Sequence, residues 1–182
     1  IPETGKAIPG TVYGVSKQSA ENLIRNSGIP FVILRMSNVY GPGCRPNYNS
    51  VVATLCHRAI KGLPLVINGD GQQCRDFVYI EDVIDAFIVL LNNINKLDNS
   101  FHNFEVGTED SVTIKDFVGL VKKLCNNNTT DLNFGAINYR ENEVMNTNTN
   151  TDKLKSLGWF PRFSLEDGLK NTIDSEKKLK IE

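Results

Sequence analysis

The chain has 182 residues, of which 40% are apolar and 23% are charged, and its 20 basic and 21 acidic side chains give a net charge of −1. This composition excludes a disordered or collagen-like chain, and it gives no overall electrostatic reason to expect nucleic acid or an anionic membrane as the partner. No apolar run approaches the roughly 18–20 residues that a membrane helix needs.

The first predicted element is a helix over about residues 13–26, where apolar residues recur at helical spacing and a glycine follows as a stop. The run IPFVILRM comes next. Because it is continuously apolar, it predicts a parallel strand that is covered on both faces. The following segment, NVYGPGCRPNYN, is rich in glycine, proline and asparagine and predicts an exposed loop.

Strands and helices continue to alternate along the rest of the chain. Helices are predicted in NSVVATLCHRAIKG, in EDVIDAFIVLLNN and in SVTIKDFVGLVKKL, where Thr113 has the position of an N-cap, and two helical stretches close the chain. Strands are predicted in LPLVING, at the end of DGQQCRDFVY, in FHNFEVG and in DLNFGAINYR. This alternation is typical of an α/β fold.

The four cysteines lie far apart and without CxxC pairing, and only two histidines accompany them. This pattern predicts no metal site. Isolated cysteines are typical of reduced thiols in the cytoplasm, and the first ten residues hold no apolar segment of the kind found in a secretory signal. We therefore expect a cytoplasmic protein without a metal.

Tyr13 and Lys17 stand four residues apart at the start of the first predicted helix, so their side chains share one face. A phenol is a poor base at neutral pH. A lysine ammonium one turn away favours the phenolate, which is the form that accepts a proton. Taken alone, Tyr-x-x-x-Lys is a weak signal, because a surface tyrosine beside a lysine also arises by chance.

Three further motifs follow this pair in the chain. YGVSKQSAEN, ILRMSNVYGPG, INGDGQQCRDFVYIEDVIDAF and LGWFPRFSLEDGL resemble, in order and spacing, the signatures of the extended short-chain dehydrogenase/reductase family. Within that family they are most similar to the NAD-dependent nucleotide-sugar epimerases and dehydratases, in the style of UDP-glucose 4-epimerase. Four ordered matches are far more specific than any one of them.

The resemblance implies roles for particular residues. Tyr13 would be the active-site acid and base, and Lys17 would bind the nicotinamide ribose and tune the tyrosine. The backbone from Met36 to Val39 would lie along the nicotinamide, so both ends of this segment are cofactor-binding candidates. NAD is the expected cofactor, with NADP as the alternative.

A second set of residues would bind the nucleotide-diphosphate sugar. The resemblance assigns Asn38 to the pyrophosphate region, Arg75 and Arg140 to the phosphates, Glu143 to a ribose hydroxyl, and Val66 and Asn68 to the nucleobase through their backbones. A guanidinium fork suits a diphosphate better than a point-like ammonium does.

The resemblance also implies the architecture. We expect the C-terminal part of a Rossmann-type parallel sheet plus a smaller α/β substrate-binding domain. The N-terminal dinucleotide-binding half, with its glycine-rich loop, is missing from the sequence. Residues 1–42 would end the Rossmann domain, and residues 43–182 would form mainly the substrate-binding domain, with segments around 75–107 returning to the Rossmann domain. The missing half and a second copy of the protein, in a homodimer, are the expected protein partners.

The function that follows is that of a fragment of an NAD-dependent nucleotide-sugar 4-epimerase, which acts through a transient 4-keto sugar. A 4,6-dehydratase or a 4-keto reductase of the same family stays open, because the residues that separate these reactions would lie upstream of Ile1. A non-catalytic sugar-nucleotide-binding module and a purely structural subunit are the alternatives outside the enzymes. A glycine-rich strand–turn–helix upstream would favour the enzyme.

Overall fold

The computed structural model describes residues 11–48, 50–98, 101–141 and 143–178. Its helices and strands alternate, which confirms the predicted α/β class. The elements are α1 (Val12–Arg25), β1 (Val32–Met36), β2 (Asn38–Tyr40), α2 (Val51–Ile60), β3 (Leu65–Asn68), β4 (Cys74–Tyr79), α3 (Ile80–Asn93), a short 3-10 helix (Ile94–Lys96), β5 (His102–Val106), β6 (Ser111–Thr113), α4 (Ile114–Leu124), β7 (Leu132–Ile137), α5 (Asp152–Ser156) and α6 (Leu165–Lys178).

The described residues form three small sheets, which are built mostly from parallel pairs. Strand β1 lies parallel to β5, and β3 lies parallel to β7. Strand β2 lies parallel to β4, which pairs antiparallel with β6 on its other edge. Parallel pairs need long crossover connections, and the helices between these strands supply them. Within the described ranges, β1 is bonded along one edge only.

The segment that follows β1 differs from the prediction. An exposed loop is expected from Asn38 onwards, but Asn38–Tyr40 form strand β2 in register with Phe77–Tyr79 of β4. The Tyr40 side chain is buried, and its ring packs edge-on against Phe77 with the centroids 6.4 Å apart. Burial of this ring and the backbone pairing outweigh the turn signals that begin at Gly41.

Strand β4 separates two hydrophobic cores, because successive side chains of a strand point to opposite faces. Phe77 and Tyr79 belong to a core that also contains buried residues of α2, α4 and α6. Val78, which lies between them, belongs to a second core with residues of α3, β5 and α5 and with Trp159. The two cores do not test the predicted domain boundary at residue 42, which stays a prediction.

Helix α4 begins as the sequence predicts. The Thr113 hydroxyl accepts a hydrogen bond from the Asp116 backbone N–H at 3.0 Å and donates one to the Asp116 carboxylate at 2.7 Å. Helix α5 begins differently, because the hydroxyl of its N-cap, Thr151, donates to Glu109 at 2.6 Å and makes no capping bond. Side chains outside a helix therefore fix where α5 starts.

Apolar side chains stay exposed on helices α1 and α3. In the described part of the chain, no residue of α1 is buried. Helix α3 exposes Ile84, Phe87, Ile88 and Leu91, which lie on one face. Beside them the β1 residues Val32, Leu34 and Met36 line an open apolar cleft of about 310 Å³. Val32 and Leu34 also pack partly against the second core, and the expectation that β1 is covered on both faces stays a prediction. No described helix combines the length and apolarity needed to cross a bilayer.

Candidate functional site

A cleft of about 260 Å³ lies at the start of β4, between β2, β3 and the segment that follows β7. Its lining includes all six residues that the sequence assigns to substrate binding: Asn38, Val66, Asn68, Arg75, Arg140 and Glu143. The structure therefore brings together residues from four separate parts of the chain: β2, β3, β4 and the segment that follows β7. Their roles toward a ligand stay predictions.

Hydrogen bonds of Asn38 and Asp76 connect β2, β4 and the loop that follows β5 next to the cleft. The Asn38 side-chain amide donates to the Asp76 backbone carbonyl at 2.9 Å. The Asp76 carboxylate is buried, and it accepts hydrogen bonds from the Thr108 hydroxyl at 2.6 Å and from the backbone N–H groups of Thr108 and Glu109 at 3.0 and 3.3 Å. Because a buried carboxylate needs such partners, Asp76 fixes the loop that follows β5.

Arg75 is the most fully bonded side chain in the cleft. Its Nη1 donates to the carbonyl oxygens of Cys74 and Val144, both at 2.7 Å, and its Nη2 forms an ion pair with the Glu143 carboxylate. Sequence reasoning assigned Arg75 and Glu143 to different parts of a ligand. In the structure each is the other's partner.

Residues 143–147, here named the strap, run alongside the start of β4. The Cys74 backbone N–H donates to the Met145 carbonyl at 2.7 Å, and the Ser111 hydroxyl donates to the Thr147 carbonyl at 3.0 Å. These two bonds and the Arg75 bond to Val144 hold the strap as one wall of the cleft.

Arg140 lies at the mouth of the cleft. In the part of the chain that the structure describes, its exposed guanidinium makes no hydrogen bond and no ion pair. Arg140 also lines an adjoining cleft of about 400 Å³, together with Tyr48, Thr54 and Arg58. A charged group at this junction is able to contact a ligand that spans both clefts.

Tyr139 fixes the turn on the other side of Arg140. Its hydroxyl donates to the Asp70 carboxylate, and this bond lowers the pKa of Asp70 and raises the pKa of Tyr139. The ring lies over Gly69, where an added Cβ would stand 2.2 Å from a ring carbon. Gln73 extends the network by donating to the Asn68 carbonyl at 3.2 Å. Sequence reasoning missed this network, although the Gly-Asp-Gly turn was the signal for a close backbone approach.

Tyr13 and Lys17 lie on α1 and do not line the cleft. Their predicted common face is confirmed, because the Lys17 ammonium lies 5.4 Å from the centroid of the Tyr13 ring. The Tyr13 side chain is 71% exposed. Because Tyr13 is exposed, a ligand that lies against the surface of α1 is able to contact this pair.

Met36 lines a second cleft of about 260 Å³, together with Ser37, Asn38 and Glu105 among others, and Val39 follows Asn38 in β2. The Val39 side chain packs in the second core, so only its backbone is available here. The Ser37 hydroxyl is buried and has no hydrogen-bond partner among the described residues. Asn38 lines both clefts and therefore connects them.

Comparison with known proteins identifies the family. The sequence model of the NAD dependent epimerase/dehydratase family matches residues 2–107, which is more than half of the chain. The chain belongs to this family, as its ordered motifs predict.

Two curated relatives illustrate the range of the family. The chain is 33% identical over 146 residues to CDP-abequose synthase of Salmonella typhimurium, covering 80% of this chain and 48% of that protein. It is 29% identical over 182 residues to dTDP-D-glucose 4,6-dehydratase of Mus musculus, covering 97% of this chain and 50% of that protein. The chain thus spans about half the length of each.

Solved structures agree with the fold. UDP-glucuronic acid 4-epimerase from Bacillus cereus, in complex with UDP-glucuronic acid and NAD, matches 98% of this chain and 56% of its own with a TM-score of 0.87 and 33% identity. UDP-glucose 4-epimerase from Thermotoga maritima, with UDP-glucose, matches 98% of this chain and 60% of its own with a TM-score of 0.80 and 29% identity.

Proposed function

We propose that this chain is part of an NAD-dependent nucleotide-sugar 4-epimerase that acts through a transient 4-keto sugar. The observation that carries the proposal is the convergence of Asn38, Arg75, Arg140 and Glu143 on one cleft. The similarity to a 4-epimerase whose structure holds UDP-glucuronic acid and NAD supports it.

The cleft suits a nucleotide-diphosphate sugar chemically. Two guanidinium groups, those of Arg75 and Arg140, face it and are matched to phosphate oxygens. Val66 and Asn68, at the end of β3, present backbone groups to the nucleobase, and Glu143 accepts a hydrogen bond from a ribose hydroxyl. Asn38 lines both clefts and would contact the pyrophosphate region of the ligand.

The second cleft and α1 suit the nicotinamide end of the cofactor. The buried Ser37 hydroxyl, for which the described residues provide no hydrogen-bond partner, is a polar atom that a carboxamide would satisfy. Met36 and the Val39 backbone would lie along the ring, and Lys17 would bind the ribose. These residues would hold NAD, which would supply reversible hydride transfer with the sugar; NADP is the alternative.

Tyr13 performs the proton transfer. Its phenolate takes the proton from the sugar 4-hydroxyl, and the same oxygen returns a proton when the 4-keto sugar is reduced on its other face. The ammonium of Lys17, on the same face of α1, favours the phenolate. The remaining work of the chain is to position the sugar, which is a large part of the rate enhancement in such reactions.

Two alternatives remain within the same cleft. A 4,6-dehydratase or a 4-keto reductase is supported by the similarity to the mouse dTDP-D-glucose 4,6-dehydratase. A non-catalytic sugar-nucleotide-binding module would bind its ligand in the cleft, and Tyr13 would then transfer no proton.

The exposed surfaces suit protein partners in the cytoplasm. The open edge of β1 and the apolar face of α3 are matched to the parallel strands of the other half of the enzyme. The apolar residues of α1 are matched to the same helix of a second copy, which makes the enzyme a homodimer.

The experiment is to incubate the full-length protein and NAD⁺ with UDP-, dTDP- and GDP-sugars and to identify the products by mass and NMR. A 4-epimerase gives a product of unchanged mass with inverted C4. Loss of one water from the sugar would show a dehydratase instead. Binding of a sugar nucleotide without any turnover would favour the binding module.

A further inference from the structure

The ion pair between Arg75 and Glu143 occupies the cleft where a ligand would bind. The two side chains are 18% and 13% exposed, so the pair is shielded from bulk water. Screening by solvent is weaker for such a pair than for one on an open surface. When a ligand separates this pair, Arg75 and Glu143 therefore each need a new partner, because water alone does not replace the lost contact.

The donor groups of Arg75 explain why the ligand and Glu143 compete. A guanidinium has five N–H donors. Both donors of Nη1 are used by the carbonyls of Cys74 and Val144. The edge left for a two-bond contact with phosphate is formed by Nε and Nη2, and one of the two N–H groups of Nη2 already donates to Glu143. A phosphate on this edge would meet the Glu143 carboxylate.

The charges in the cleft lead to the same conclusion. Arg75 and Arg140 contribute two positive charges and Glu143 one negative charge to the lining, a net of +1. A dianionic diphosphate beside an unmoved carboxylate would bring like charges into contact, which is unfavourable in a partly dehydrated site. Displacement of Glu143 from Arg75 removes this contact.

The strap is able to stay in place when this happens. Val144, Met145 and Thr147 are held through their backbone carbonyls, by Arg75 Nη1, the Cys74 N–H and the Ser111 hydroxyl. None of these three bonds involves the Glu143 side chain. Rotation of that side chain alone is therefore enough to free Nη2 of Arg75.

We propose that Glu143 is a latch that sets the ligand specificity of the cleft. Its carboxylate holds Arg75, and a phosphate of the ligand displaces it. Resting on the proposed function, the inference adds that the displaced carboxylate gains a ribose hydroxyl only when the ligand is a nucleotide. The latch thus favours a nucleoside diphosphate over bare pyrophosphate, because pyrophosphate gives Glu143 no new partner.

The test is calorimetric titration of the full-length protein and of Glu143→Gln with inorganic pyrophosphate and with UDP. The variant should bind pyrophosphate about tenfold or more tightly than the wild type, which corresponds to about 1.4 kcal/mol. The affinity for UDP should change by less than about threefold, because loss of the ribose contact offsets loss of the competitor. Unchanged or weaker binding of pyrophosphate would overturn the latch.

Two control variants separate contact from bulk charge. Glu141→Gln removes the same charge from an exposed position two residues earlier and should change pyrophosphate binding by less than about twofold. Glu143→Asp keeps the charge, but its shorter side chain cannot hold Arg75 in the same way, so it should also tighten pyrophosphate binding. An equal gain in Glu141→Gln, or no gain in Glu143→Asp, contradicts the latch.

The outcomes also distinguish the latch from the proposed function. If the wild type binds UDP but Glu143→Gln leaves the preference for UDP over pyrophosphate unchanged, the latch is wrong and the proposed function stands. If the wild type binds neither UDP nor any sugar nucleotide, the proposed function is wrong and the latch is overturned with it. Thermal unfolding of each variant checks that the fold is intact.

Discussion

Glu21 of α1 accepts two hydrogen bonds from the Arg35 guanidinium of β1, at 3.0 Å from Nε and at 2.7 Å from Nη2. Hydrogen bonding from Arg35 lowers the pKa of Glu21, so the carboxylate stays charged. Because α1 has no buried residue, this two-bond pair fastens the helix, together with the Arg25 guanidinium, which lies 3.9 Å from the centroid of the Phe101 ring. The pair therefore positions Tyr13 relative to the sheet.

We expect Arg35→Gln to loosen α1 and to misplace the proposed acid and base. In the full-length enzyme kcat should fall by about 10–100-fold with little change in KM, since misplacement of a reacting group affects the chemical step more than binding. Hydrogen exchange of residues 12–25 should become faster. Lys170→Gln, which breaks an exposed ion pair on α6, is the control and should change neither quantity. Unaltered exchange in Arg35→Gln would contradict the anchoring role.

Gly69 and Gly62 form a matched pair for testing the turn beneath Tyr139. Both have positive φ, of +59° and +67°, but only at Gly69 would a Cβ meet other atoms, those of the Tyr139 ring. Alanine at Gly62 should destabilise the protein by about 1 kcal/mol through backbone strain alone. Alanine at Gly69 should cost more and should weaken binding of the sugar nucleotide about tenfold, because the ring must move away from Asp70 and shift Arg140. Denaturant unfolding and calorimetric titration measure both, and equal effects at the two glycines would refute the contact.

The environment of Glu109 makes the stability of the fold depend on pH in the acid range. Hydrogen bonds from Lys155 and Thr151 lower its pKa from 4.5 to about 2. A carboxyl group whose pKa is lower in the folded state stabilises that state at pH values above the pKa of the unfolded state. For Glu109 this stabilisation is lost as the pH falls from 4.5 to about 2. Lys155→Met should lower the melting temperature at neutral pH and make it less dependent on pH within this window. Lys61→Met, at an exposed helix end, should leave the pH dependence unchanged. A wild-type pH profile in Lys155→Met would contradict the assignment.

Leu23 tests the proposed homodimer. Its side chain is 73% exposed on α1, where the described chain gives it no apolar cover. Leu23→Glu should convert the full-length protein to a monomer, because burying an unpaired carboxylate in a helix interface is costly. Phe160→Glu places the same charge at an exposed apolar residue outside α1 and should leave the dimer intact. Sedimentation distinguishes the two forms, and an unaltered dimer in Leu23→Glu would place the interface elsewhere.

Local sequence patterns predict most of the helices and strands of this fold. A continuous apolar run marks β1, and Thr113 marks the start of α4. Strand β2 was not predictable in this way, because three residues are too few for a periodic signal and the Gly-Pro-Gly turn follows directly. Its conformation depends on pairing with β4, which the local sequence does not encode.

In the candidate site, too, the sequence predicts some features, and others depend on tertiary contacts. Family motifs name the residues that meet in the cleft, but not which of them contact one another. Arg75 and Glu143 are 68 residues apart in sequence, and only the path of the strap brings them together. The Tyr139 contact with Gly69 likewise depends on how the segment after β7 folds back over β3.

The measurement that tests the central claim most directly is the steady-state kinetics of Tyr13→Phe in the full-length enzyme with NAD⁺ and its sugar nucleotide. The substitution removes the proposed proton acceptor and leaves the ring in place. We predict that kcat falls by at least about 10²–10⁴-fold, while the dissociation constant of the sugar nucleotide changes by less than about twofold. Near-normal kcat in Tyr13→Phe with NAD⁺ bound would contradict the assignment of Tyr13 as acid and base.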